Sequence, residues 1–123
     1  MTDTSIPLLR RGQIVLASLD PAVGSEAGKT RPAMLVSNNA ANAAAMRSPR
    51  ATVTVVPVTS NIARVLPFQV LLPADATGLE HDSKAQAEQV RTIAVSRIVR
   101  PVGWAPAELV AAVDEALRLH LSL

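Results

Sequence analysis

The stretch Thr52–Thr59 (TVTVVPVT) constrains this chain more than any other. Thr and Val alternate at its start, which sends hydroxyls and apolar side chains to opposite faces of an extended strand. Pro57 interrupts the run and predicts an edge, a bulge or a bend there. Further short runs of strand character surround it: Gln13–Leu19, Ala33–Ser37, Phe68–Leu72, Ser83–Gln89, Arg91–Val95 and Val99–Val102. Turn signals separate them, among them Asp20-Pro21, the Gly-punctuated loop 22–31 and the Pro/Asp/Gly segment after Leu72. Asn38–Met46 opens with Asn residues suited to capping and continues in Ala, which predicts a short helix. Ser96–Ile98 predicts one tight turn. The chain ends in a longer helix. Pro106 suits its first turn, Glu108 complements the macrodipole, and Leu109, Val113, Ala116, Leu117 and Leu121 recur at helical spacing. Short strands with one terminal helix predict a mainly β, α+β fold: a small barrel or a strongly curved sheet carrying a helix.

Composition narrows the function. A length of 123 residues suits one domain, expected over 11–123 behind a flexible extension at 1–10. There is no cysteine, and His81 and His120 are the only histidines. A cysteine zinc site is thereby excluded and a histidine one is not expected, so no metal and no cofactor is predicted. Residues 1–9 hold no apolar h-region, and no apolar run approaches the ~20 residues of a membrane span. A cytoplasmic protein with no membrane partner is expected. Ten of the 12 basic residues are arginine, whose planar fork matches phosphate oxygens, although the net charge is only +2. Phe68 and Trp104 are the only aromatics, so the stacking platform of many RNA-binding sheets cannot be built. RNA binding would have to rest on arginine, main chain and polar side chains.

Several tempting motifs fail on spacing. Gly24–Thr30 (GSEAGKT) has three residues between its glycines where a phosphate-binding loop needs four, and Pro32 follows where a helix should begin. The acidic residues form no cluster that would hold two ions; Glu80 and Asp82 flank a turn, and Asp114 and Glu115 point to different sides of a helix. No serine sits in a nucleophile-elbow sequence. His120, in the last helical turn, reads as a dipole or surface residue. What remains is Arg31, held between polar residues and Pro32, and the strand end Pro57-Val58-Thr59-Ser60-Asn61. An Arg before Pro is extended and can point into a cleft, but by residue chemistry alone it reads as a loop charge.

Taken together, these segments resemble the MazF/PemK family of toxin ribonucleases. The resemblance runs through Arg11-Gly12 with QIVLASLDP, Val23–Glu26 with Gly28–Pro32, Val36-Ser37-Asn38, Val55–Asn61, and Asp82–Ile93. It implies an SH3-like barrel with a C-terminal helix, acting as a homodimer. It further implies metal-independent, sequence-specific cleavage of single-stranded RNA (mRNA, with rRNA or tRNA as further substrates). Arg31 and Thr59 fall on the family's catalytic Arg and Ser/Thr. Glu26, Lys29, Thr30, Ser60, Asn61, Arg64, Gln89 and Arg91 are the implied RNA-binding positions. A MazE-like antitoxin is implied as partner, its acidic tail covering the RNA site at Arg31, Lys29 and Arg91.

The chemistry implied is self-contained. RNA brings its own nucleophile, the 2′-OH, and the enzyme must align it, move protons and neutralise charge developing on phosphorus. The products would be a 2′,3′-cyclic phosphate and a 5′-OH. Gln13 and Leu16 depart from the acidic and aromatic residues that relatives often carry. Some relatives use an additional Asp or His as acid or base; no position matches these, and His81 is the nearest candidate. One alternative is a same-fold toxin that poisons DNA gyrase, which would have no use for Arg31 with Thr59; another is a non-catalytic SH3-like binding module.

Overall fold

The computed structural model describes residues 8–123; of the expected 1–10 extension, 1–7 lie outside the described residues, and Leu9 is buried. Seven strands form one antiparallel sheet: β1 Gln13–Ser18, β2 Thr30–Leu35, β3 Thr52–Thr59, β4 Gln69–Leu72, β5 Ser83–Gln86, β6 Arg91–Ala94 and β7 Ile98–Trp104. Among the described residues three α-helices accompany it: α1 Asn39–Ala45, α2 Ala74–Thr77 and α3 Ala107–Leu121. The sheet runs β4-β5-β3-β2-β1-β7, with β6 also paired to β3. Its two ends do not pair, so the sheet is open rather than a closed barrel.

β3 is the hinge of this arrangement. One edge pairs with β2, from Leu35↔Val55 to Ala33↔Pro57. The other edge is shared: Thr52–Val55 pair with β6, and Val58–Thr59 with β5. The change of partner falls at Val56-Pro57, where proline has no N–H to donate. The bend expected at Pro57 is therefore a fork in the sheet.

Both faces of the sheet are covered. Val15, Ala17, Ala33, Leu35, Val53 and Val55 pack with Leu9, Leu19, Ala45 and Ile93. Ile14, Met34, Val56 and Val58 pack with Leu72, Leu79, Ala85, Ala105 and Val113 of α3. Alternate residues thus enter separate cores, which explains why the second half of β3 is a continuous apolar run. α3 contributes the expected face through Leu109, Val113, Ala116 and Leu117, while Leu121 at its end is exposed. Arg11 fastens this helix to the body: its guanidinium holds both oxygens of Asp114, and its Nε donates to the Val36 carbonyl at 2.9 Å.

Local chemistry sets the remaining elements. The Asn38 side chain accepts the Ala41 N–H at 2.8 Å and starts α1 as expected. The Pro/Asp/Gly loop contains one helical turn, α2, closed by Gly78 at φ +85°. β5 stops at Gln86, and Ala87–Gln89 turn in 3-10 geometry before β6. Among the described residues no helix is long and apolar enough to cross a membrane.

Candidate active site

A cleft of about 750 Å³ opens beside β7, where β2 begins and β3 ends. Leu16, Pro32 and Val58 are among its apolar lining, and Arg31 and Thr59 line it together. Arg31 was expected in the loop before the second strand, but β2 begins at Thr30 and pairs Arg31 with Ala17 of β1. The β2–β3 ladder stops at Ala33↔Pro57, two residues short of Arg31 on β2 and of Thr59 on β3, and both residues line the cleft beyond it.

Each of the two side chains is half committed. Arg31 Nε donates to the Gly28 carbonyl at 2.7 Å, and its terminal nitrogens bond no described residue. The fork is thereby aimed while its two terminal donors remain available, the arrangement that binds an oxyanion bidentately. Thr59 Oγ1 accepts the Asn61 N–H at 3.2 Å, so its own proton is left to donate. Lys29, Thr30 and Ser60 line the same cleft. Lys29 sits at φ +61°, held by Asp20, whose carboxylate accepts the Lys29 N–H at 2.6 Å.

The other sequence-predicted positions lie outside this lining. Gln89 and Arg91 work beneath the loop that precedes β2. Gln89 Oε1 accepts the Ala27 N–H at 3.1 Å, and its Nε2 donates to the Ser25 carbonyl at 3.1 Å. Arg91 donates to the Ala27 carbonyl at 3.0 Å and to Gln89 Oε1 at 3.0 Å. These groups spend their donors on the protein, so they support the loop rather than extend into the cleft. Glu26 closes the loop tip by accepting the Val23 N–H at 2.8 Å. Asn61 accepts the Ala63 N–H at 3.4 Å, and the Arg64 carbonyl accepts Lys84 Nζ; both belong to the exposed segment beyond Ser60.

A profile of the PemK-like, MazF-like toxins of type II toxin–antitoxin systems matches residues 10–121. The chain belongs to this family. Over 94% of its length it is 60% identical to Endoribonuclease MazF9 of Mycobacterium tuberculosis, covering 98% of that protein. It superposes on a crystal structure of MazF from Deinococcus radiodurans with a TM-score of 0.78, at 30% identity over 94% of this chain and 98% of that one. A MazE–MazF crystal structure from the same organism gives 0.70 at 28% identity, with 94% and 98% covered.

This MazF-like cleft also holds Arg100 and Glu80, which sequence reasoning did not place there, and His81, its nearest acid–base candidate. Arg100 of β7 lines it, delivered by the pairing of Leu16 with Arg100. Like the terminal nitrogens of Arg31, its guanidinium bonds no described residue. Glu80 and His81 form another wall. Gly78 and Gly103 bring that wall close, since a Cβ on Gly103 would meet the Thr77 carbonyl oxygen at 2.4 Å. Among the described residues the cleft therefore presents Lys29, Arg31 and Arg100 against the single carboxylate Glu80. Only a pairing partner 84 positions away reveals Arg100, and no local pattern announces it.

Proposed function

We propose that this toxin-family endoribonuclease cuts single-stranded RNA in the cleft by attack of the 2′-OH on the adjacent phosphorus, without a metal ion. The observation that carries this reading is the pairing of a half-tethered Arg31 with a half-bonded Thr59 at the ends of neighbouring strands. The Arg31 fork clamps the nonbridging oxygens and stabilises the pentacoordinate phosphorus. The Thr59 hydroxyl donates to one of them. Lys29 and Arg100 guide the flanking phosphates, and Thr30 and Ser60 add polar contacts. The recognised bases are read by the exposed segments on either side, 22–30 and 60–66.

The protein acts in the cytoplasm as a homodimer, and a MazE-like antitoxin silences it by laying an acidic peptide over the cationic cleft. The three cationic side chains against one carboxylate support that choice of partner.

Incubating the protein with a long single-stranded RNA in excess EDTA tests the reading. Cleavage is expected at short recurrent sequences, with 2′,3′-cyclic phosphate and 5′-OH ends. A requirement for Mg²⁺, or ends bearing a 5′-phosphate, would refute it. Intact RNA together with inhibited DNA supercoiling would transfer the site to gyrase poisoning.

A further inference from the structure

In the reading above, the donor of a proton to the departing oxygen is unassigned. A guanidinium ordinarily holds its protons too tightly near neutrality, and a hydroxyl does so as well. A carboxyl group is ordinarily ionised there and has none to give. Imidazole is the side chain that exchanges a proton in this range. The chain has two, and they lie in very different places. His120 is on α3 with its ring 6.2 Å from that of Phe68. His81 lines the cleft that holds Arg31 and Thr59.

The segment carrying His81 is fastened on every side. Gly78 turns the chain out of α2 in a left-handed conformation, and Leu79 is buried at 8% exposure. The Asp82 carboxylate accepts the Ala74 N–H at 2.8 Å. The Ser83 hydroxyl donates to the His81 carbonyl at 2.9 Å. Behind it, Thr77 and Gly78 are pressed against Gly103 of β7. The imidazole itself is exposed and bonds no described residue. A fixed backbone presenting an unengaged imidazole to a cationic cleft differs from an ordinary histidine on a loose turn.

We propose that His81 is the general acid of the cleavage step, an inference that rests on the RNA-cleavage reading above. The 2′-oxygen bonds to phosphorus while its proton passes to solvent in the open cleft. The bond from phosphorus to the 5′-oxygen breaks, and the imidazolium of His81 gives its proton to that oxygen. Neutral imidazole then regains a proton from solvent. The charged groups that line the cleft with His81 are Lys29 and Arg31 from the start of β2, Arg100 from β7 and Glu80 from its own segment; Thr59 and Ser60 line it uncharged.

The decisive comparison uses two substrates. One is an ordinary short RNA; the other carries sulfur in place of the leaving 5′-oxygen, and a thiolate departs without needing an acid. His81→Asn is expected to cut the ordinary RNA about 10²–10⁴-fold more slowly than wild type. On the sulfur-bridged RNA the variant is expected to come within about tenfold of wild type. Its melting curve should match that of wild type, since the side chain is exposed. Equal losses on both substrates, or undiminished cleavage of the ordinary RNA, would overturn the assignment. Failure of the wild-type protein to cut either RNA would instead overturn the reading on which it rests.

Discussion

At the scale of single residues, the cleft is built by dividing each side chain's bonding capacity between fold and ligand. Arg31 gives Nε to Gly28 and keeps its terminal donors, whereas Arg91 and Arg97 give theirs to carbonyls of the loop and of Ser18 and Asp20. Arginine content alone cannot make this distinction. It follows that Arg31→Ala should leave the melting temperature within a few degrees of wild type and lower cleavage by about 10²–10³-fold or more, the usual cost of losing a preorganised donor. Thr59→Val removes one hydroxyl at nearly constant volume and should cost less. Near-wild-type rates in the Arg31 variant, measured on a fluorogenic RNA, would remove the clamp from the mechanism.

At the scale of elements, the strand Thr52–Thr59 and the helix after Pro106 were legible because their periodicities are long enough to be unambiguous. α2 was not: Pro73-Ala-Asp-Ala-Thr-Gly reads as a loop, and only Gly78 closes it into a helical turn. The partition of the site was equally hidden. Gln89 and Arg91 meet the loop residue Ala27 across 62 and 64 positions, and the sequence shows them only as polar residues beside a strand. Arg31 and Thr59 were reached through family resemblance, while Arg100 depends on the β1–β7 register, which is interrupted by two shifts. One element contact is directly testable. Gly103→Ala would press a methyl group against the Thr77 carbonyl, and a backbone atom cannot rotate aside. We expect a loss of about 1–3 kcal/mol by urea denaturation. Cleavage should fall as well, because the displaced segment carries His81. An alanine variant as stable and active as wild type would show that the wall is not held from behind.

At the scale of the whole molecule, the chain is only mildly basic, yet the cleft concentrates three cationic side chains. RNA and an acidic antitoxin peptide should therefore compete for one surface. A peptide from the antitoxin tail is expected to raise the apparent KM for RNA without changing kcat, and raised salt should weaken both ligands, since exposed charges are screened within ~10 Å at 0.1 M. Unchanged peptide affinity when the cleft is filled by an uncleavable RNA analogue would place the peptide elsewhere.

β3 is paired along both edges and covered on both faces, and Thr59 is its last residue. Exposing the middle of such a strand means dismantling both cores at once. Thr59, at its end, is paired only through Lys84 of β5, because the β2 ladder stops at Pro57. The hydroxyl's placement thus turns on one edge, and slackening β5 would move it while the rest of β3 stays buried.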